Sequence, residues 1–141
     1  MQYVVTNSQM KEAERRCDQS GISYYQMMEN AGTRCAEFLM ELLPENTRTV
    51  VMCGSGNNGG DGLVIARLLR EHGRSVSVLL ASGTPRTTDA AENLARLPIG
   101  TSVYSAEQYR EAFRYAGCVV DCIYGTGFHG SLREEPAAML R

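Results

Sequence analysis

The sequence predicts one α/β domain in which a parallel sheet has helices on both faces. Three short apolar runs, residues 50–53, 75–80 and 118–124, alternate with segments whose apolar residues recur at helical spacing. This alternation is typical of βαβ units, because parallel strands need a crossover to carry the chain back across the sheet. The length of 141 residues, with 43% hydrophobic and 21% charged residues, fits a single folded domain over residues 1–141.

Two helices are predicted ahead of the first strand. Thr6 and Gln9 have the spacing of a capping box and precede a short amphipathic segment. Ser23 and Gln26 repeat this spacing before a longer segment with a helical apolar period, which Pro44 ends. The methionines of this second helix are expected in the core rather than at a cofactor.

The first strand leads into a glycine-rich loop and a third helix. Residues 54–62 read GSGNNGGDG, with five glycines in nine positions. The G-x-G-x-x-G pattern indicates a nucleotide-binding turn. A dehydrogenase would also carry an acidic residue at the end of the next strand, but that strand ends without one, at Leu80 to Ser82, which argues against an ordinary dehydrogenase. A simple turn in which Asp61 caps the helix explains part of this composition. The density of glycines favours close contact between the backbone and a ligand.

The rest of the chain continues the alternation of strands and helices. The predicted elements are a polar loop at 82–89, a helix at 90–97, an extended piece at 103–104, a capped helix from 105, and a buried strand at 118–124. Gly125, Gly127 and Gly130 follow that strand. Because ligands collect beyond the carboxyl ends of parallel strands, both glycine-rich loops are expected at the ligand-binding edge.

Asp121 is the single carboxylate in the last apolar run. If buried there, it must be paired, hydrogen-bonded or bound to a cation, or it can serve as a general acid or base. The alternative is an aspartate that only accepts hydrogen bonds from loop amides. Together with the asparagines at 57–58, its oxygens suit a hard cation such as K⁺, Na⁺ or Mg²⁺. Glu29, on the second helix, is expected on a solvated face.

Composition argues against several classes of function. The net charge of −2 provides no electrostatic footprint for a phosphate backbone, so nucleic acid is not an expected partner. The five cysteines lack C-x-x-C spacing and lie mostly in apolar stretches, which predicts buried, reduced thiols. No secretory leader pattern or apolar run of membrane-spanning length is present, so we expect a cytoplasmic protein without a membrane partner.

Four segments carry a more specific signal. They are TNSQM at 6–10, MENAG at 28–32, GSGNNGGDGLVIAR at 54–67 and DCIYGTGFHGSLR at 121–133. In this order they resemble the NAD(P)H-hydrate epimerase family, also called the YjeF N-terminal domain, and the similarity spans essentially the whole chain. The resemblance implies a Rossmann-like three-layer sandwich with a mostly parallel central sheet.

The resemblance also implies an activity. Members of the family interconvert the R and S epimers of NADHX and NADPHX, the hydrated, damaged forms of the reduced nicotinamide cofactors. One K⁺ per subunit would be held by Asn58 and Asp121, and we expect Asp121 to be the catalytic residue. The implied partners are a second copy in a homodimer and an ADP- or ATP-dependent NAD(P)H-hydrate dehydratase, fused or separate. The implied substrate-binding residues are Asn57, Asn58, Gly59, Gly60, Asp61, Gly125, Thr126, Gly127, Phe128, His129, Gly130 and Ser131.

The chain departs from the family pattern at its end. The family continues with a strand that carries a D-x-P-S-G motif, which these residues lack. We therefore expect a C-terminally incomplete sheet and a truncated form of the domain. Two other functions stay open: a non-catalytic nucleotide- or RNA-associated binding or scaffold module on the same fold, and a conventional oxidoreductase that binds undamaged NAD(P)H.

Overall fold

The computed structural model of the protein describes residues 4–131, in which two leading helices precede alternating strands and helices. Both helices start where the sequence predicts, because the side chains of Thr6 and Ser23 accept hydrogen bonds from the backbone three residues on. The reciprocal bond of a capping box forms only at Thr6, since the Gln26 side chain donates to Asn30 instead. The helices are α1 (Asn7–Gln19), α2 (Tyr24–Leu42), α3 (Asn57–Glu71), α4 (Thr88–Ala95) and α5 (Tyr109–Ala112), the last preceded by a 3₁₀ turn at Ala106–Gln108. The strands are β1 (Thr49–Cys53), β2 (Val76–Leu80), β3 (Ser102–Ser105) and β4 (Cys118–Cys122).

The four described strands form one sheet in the order β3-β2-β1-β4, and every strand pair is parallel. Cys53, the last residue of β1, lies opposite Leu80 of β2 and Cys122 of β4. The carboxyl ends of the three strands therefore reach the same edge. This arrangement confirms the predicted parallel sheet and places both glycine-rich loops at one end of it.

Two buried clusters cover the two faces of the sheet and make it the middle of three layers. Alternate residues of β1 point to opposite faces, so Val51 packs toward α2, α3 and α4, whereas Val50 and Met52 pack toward α5. Each of these three side chains is 2% exposed or less. Full burial of such a side chain stabilises the fold by about 1.5–3 kcal/mol.

The last strand differs from its prediction as a buried strand. Among the described residues β4 pairs only with β1, so it is an edge strand. Val119 is 47% exposed and Asp121 is also exposed, while Cys122 is buried. The opposite edge is β3, where the sequence predicts only a two-residue extended piece. An apolar run indicates a strand, but it does not indicate how many neighbours the strand has.

Glu29 joins three helices, which contradicts its prediction as a solvated residue. Its carboxylate accepts hydrogen bonds from Arg67 Nη2 on α3 at 2.5 Å and from Arg96 Nη1 at the end of α4 at 3.1 Å. The side chain of Arg67 is only 6% exposed, so this ion pair neutralises a buried guanidinium. The pair fixes α2 against α3, and α3 carries the first glycine-rich loop.

All five cysteines are free in the structure, and the reduced state of their thiols stays a prediction. Cys53 and Cys122 are buried, and burial raises the pKa of the Cys122 thiol to about 12. The prediction of burial is wrong for Cys35, which is exposed. No helix within residues 4–131 is long and apolar enough to cross a membrane.

Candidate functional site

The two glycine-rich loops meet beyond the carboxyl ends of β1 and β4. The N–H of Gly54 donates to the carbonyl of Cys122 at 3.0 Å, which continues the strand pairing into the loops. Asn58 Nδ2 donates to the carbonyl of Tyr124 at 3.0 Å and so joins the first turn of α3 to the second loop. A Cβ at Gly125 would lie 3.1 Å from the Cβ of Asn58, so glycine permits this close approach. The prediction that both loops share one edge is confirmed.

A cavity of about 620 Å³ lies between these loops. Its volume is in the range of small-molecule binding sites. Gly130, with a φ of 94°, shapes the second loop but does not line the cavity. Ser82, at the end of β2, lines it where a dehydrogenase would carry an acid. The implied binding residues that do line it are Asn57, Asn58, Asp61, Gly125, Thr126, Gly127, Phe128, His129 and Ser131.

The N-terminus of α3 opens onto this cavity. Gly56 is the N-cap and offers no side-chain capping bond, and Asn57 and Asn58 begin the helix. The N–H groups of a first helical turn have no intrahelical partners and form the positive end of the helix dipole. This end of the cavity therefore suits an anionic group such as a phosphate. Asp61 lies one turn further on, so the expectation that it caps the helix is wrong.

Gly54 and Gly59 are required by packing within the protein. A Cβ at Gly59 would lie 1.8 Å from the carbonyl oxygen of Gly54, and one at Gly54 would lie 2.0 Å from that of Ile123. Atoms cannot approach so closely, so both positions exclude any side chain. Gly59 is buried and does not line the cavity, although the resemblance implies that it binds substrate.

Gly60 and Gly62 also lie close to other parts of the fold, but here the nearest atoms belong to side chains. A Cβ at Gly60 would meet the Met28 side chain of α2 at 2.5 Å, and one at Gly62 would meet the thiols of β1 and β4. Gly60 is buried and, like Gly59, does not line the cavity. Gly56, by contrast, has open space around its Cα and faces the cavity. Backbone packing thus requires the glycines at 54 and 59, and the expectation that ligand contact explains the glycine density is wrong for these two positions.

Asp61 lines the first cavity and also a second one of about 480 Å³. Partial burial, together with the nearby charge of Glu14, raises the pKa of the Asp61 carboxyl from 3.8 to about 6. A carboxyl with such a pKa can gain or lose a proton close to neutral pH. The sequence indicates Asp61 as a binding residue but provides no signal for this shift, which depends on the packing of α1 and α2 nearby.

Asp121 lies in the second cavity, with Asn58 and Asp61, and not in the first. Its Oδ1 accepts a hydrogen bond from the N–H of Ile123 at 2.9 Å. The expectation of a buried acid is wrong, because β4 is an edge strand and leaves this side chain exposed. The bond to a loop amide is the alternative that the sequence left open. Asn58 lines both cavities, so it shares the second one with Asp121.

Asn58 and Asp121 bring oxygen atoms to the same cavity. The amide nitrogen of Asn58 is engaged by Tyr124, which leaves Oδ1 as the atom available to a cation. Amide and carboxylate oxygens fit a hard cation such as K⁺ rather than a soft metal. Within residues 4–131 no three His, Cys, Asp or Glu side chains cluster as a metal site, so a cation here needs further oxygen ligands.

Two features of the site are not signalled by the sequence. The rings of Tyr124 and Phe128 pack against each other at an interplanar angle of 47°, with their centroids 4.4 Å apart, and form an apolar wall of the cavity. Helix α1 also reaches the site: Lys11 and Glu14 line the cavity, and Asn7 Nδ2 donates to the Thr126 carbonyl at 3.4 Å. Only the tertiary packing brings α1 near the second loop, which lies more than a hundred residues away in the chain.

The comparisons with known proteins identify relatives along most of the chain. A sequence model of the family described as YjeF-related protein N-terminus matches residues 24–141. The chain is 36% identical, over 96% of its length and 28% of the relative, to the bifunctional NAD(P)H-hydrate repair enzyme Nnr of Pyrobaculum aerophilum. It is 37% identical, over 89% of its length and 55% of the relative, to the NAD(P)H-hydrate epimerase of Rhodopirellula baltica.

A solved structure shares the fold. The crystal structure of yeast ynu0, YNL200c, superposes with a TM-score of 0.80 at 28% sequence identity. The match covers 94% of this chain and 61% of the yeast chain. The chain therefore spans about a quarter of the bifunctional relative and just over half of the single-function relative named above.

Proposed function

Because the chain belongs to the family of the YjeF-related protein N-terminus, we propose that it binds NADHX and NADPHX and interconverts their R and S epimers. The observation that carries this proposal is that residues of both glycine-rich loops line one cavity of about 620 Å³. Two relatives named above are described as an NAD(P)H-hydrate repair enzyme and an NAD(P)H-hydrate epimerase. Neither is described as a binding or scaffold module.

The substrate is a dinucleotide with a charged pyrophosphate and a hydrated nicotinamide ring. We place the pyrophosphate at the N-terminus of α3, where the N–H groups beside Gly56 and Asn57 favour an anion. The apolar wall formed by Tyr124 and Phe128 is suited to a ring. Gly125 and Gly127 let the second loop approach the ligand closely.

The reaction requires a planar carbon at C6 of the hydrated ring. A proton delivered to the C6 hydroxyl lets it leave as water while the N1 electron pair forms a double bond to C6. Water then returns to either face, releases a proton and leaves the hydroxyl in the R or S configuration. Asp121, acting through a water, is the group to which we assign delivery and recovery of this proton, because it lines the second cavity, which shares Asn58 and Asp61 with the substrate cavity.

Asn58 and Asp121 are the residues that would hold K⁺. The ion, when bound, would supply positive charge that offsets the carboxylate beside the substrate. Asn58 would then orient the second loop through its bond to the Tyr124 carbonyl. The same proposal includes a homodimer, a cytoplasmic location, and an NAD(P)H-hydrate dehydratase as functional partner, fused or separate. The name of the Pyrobaculum aerophilum relative, a bifunctional repair enzyme, supports the last of these.

The test is epimerisation of a purified NADPHX epimer, followed by chromatography in K⁺ and in a K⁺-free buffer. The wild-type chain should equilibrate the epimers faster than buffer alone, and Asp121→Asn should slow this by about 100-fold or more. Asp18→Asn, which removes an exposed acid of α1 outside both cavities, is the matched control and should be unchanged. Equilibration at the buffer rate by the wild-type chain would contradict the proposed activity. Unchanged turnover in Asp121→Asn would remove that residue from the mechanism.

A further inference from the structure

Helix α1 places a positively charged side chain, that of Lys11, at the candidate site. None of its residues is buried, and its side chains Lys11 and Glu14 lie along the cavity rather than in the core. Asn7, in its first turn, contacts the second glycine-rich loop through Thr126.

Lys11 is the only lysine in the whole sequence. It is also the only Lys or Arg side chain among the residues that line the cavity in the described part of the chain. Arg15, one turn further along α1, pairs with Glu12 at 2.7 Å. Within residues 4–131 Lys11 forms no such ion pair, so its ammonium group is available to a ligand.

The other charged groups at the cavity include two carboxylates, so an anionic ligand needs a positively charged side chain beside it. Glu14 and Asp61 line it from α1 and α3, and His129 lines it from the second loop. Two carboxylates beside a pyrophosphate would repel it, and the dipole of one helix offsets only about half of an elementary charge. A lysine ammonium is a compact charge on a flexible stem, and it can follow a phosphate without a fixed geometry.

We propose that Lys11 is the side chain that recognises the phosphate oxyanions of the bound nucleotide and so determines its affinity. This inference rests on the proposed function, because it takes NAD(P)H hydrate as the ligand. Lys11 and the N-terminus of α3 would then hold one anionic group from two sides of the cavity. The nicotinamide end would extend toward Tyr124 and Phe128.

The test is calorimetric titration of the full chain with NADPH hydrate and with NADH hydrate. Lys11→Gln should weaken binding by about tenfold, whereas Lys11→Arg should stay within about threefold of the wild type. Arg16→Gln removes the same charge from the same helix outside the cavity lining and should leave the affinity unchanged. An equal loss for both hydrates in Lys11→Gln assigns the contact to the pyrophosphate. A loss confined to NADPH hydrate assigns it to the 2′-phosphate.

The outcomes separate the inference from the proposed function. If the wild-type chain binds neither hydrate, the proposed function fails. If the wild-type chain binds and Lys11→Gln binds within twofold, or Arg16→Gln loses as much affinity, the assignment of Lys11 is overturned and the function stands. A second readout uses the single lysine: NADPH hydrate should slow acetylation of the Lys11-containing peptide, measured by mass spectrometry. Unchanged acetylation at saturating hydrate would also overturn the assignment.

Discussion

Replacement of Gly59 by alanine should strongly destabilise the protein. The new Cβ would lie 1.8 Å from the carbonyl oxygen of Gly54, and real Cβ atoms essentially never come closer than 3.0 Å. The start of α3 would have to move by roughly 1.2 Å, and both partners are backbone, so no side-chain rotation relieves the collision. Overpacking of this kind costs about 3 kcal/mol, more than the gain of about 1 kcal/mol from replacing a helical glycine by alanine.

The assay is urea unfolding and thermal unfolding, both followed by circular dichroism, with Gly56→Ala as the matched control in the same loop. Gly56 has a φ of −100° and no atom near the position of a new Cβ, so its replacement should cost about 1 kcal/mol or less through weaker capping. Gly59→Ala should lower the midpoint of thermal unfolding by about 10 °C. Equal stability of Gly59→Ala and Gly56→Ala would refute the conclusion that packing, rather than ligand contact, requires Gly59.

Two further predictions concern charged residues. The pKa of Asp61, raised from 3.8 to about 6 in the folded chain, means that the folded state holds its proton more tightly than the unfolded state, so stability should fall as pH rises from about 4 to 6. Asp61→Asn should remove this fall in stability. It should stabilise the chain by about 1–2 kcal/mol at pH 7.5, a value that takes the partial exposure of the carboxyl into account. A pH profile of stability unchanged from the wild type would contradict the raised pKa of Asp61. Glu29→Gln should cost about 2–3 kcal/mol in urea unfolding, because it leaves the guanidinium of Arg67 buried without its main partner. Glu37→Gln, which removes an exposed pair with Arg34, should change stability by less than about 0.5 kcal/mol, and equal effects of the two changes would contradict the role of the buried pair.

The sheet and its functional edge could be predicted from the sequence because they depend on local patterns. The apolar run at 50–53 and the glycines after it mark a strand and a turn regardless of what surrounds them. Parallel pairing follows from the helices between strands, and it brings both glycine-rich loops to one edge. The resemblance to a known family is confirmed by the match over residues 24–141, and the activity that it implies is a proposal.

The environment of each site residue could not be predicted in the same way. The apolar neighbours of Asp121 suggest burial, yet its exposure depends on whether another strand covers β4. Gly59 looks like a ligand contact in a motif, but the distance to the backbone of Gly54 shows that the fold needs it. Lys11 carries no motif of its own, and only the packing of α1 brings it to the cavity. The environments of Asp121 and Lys11 depend on contacts between residues that are distant in sequence.

The central claim is that the two glycine-rich loops form one binding site for NAD(P)H hydrate. The most direct measurement is nuclear magnetic resonance of the ¹⁵N-labelled chain during titration with NADPH hydrate. The amide signals of residues 55–58 and 125–131 should shift together, with one dissociation constant, while those of β3 at the far edge of the sheet should stay in place. Shifts in only one of the two loops, or in neither, would contradict the account.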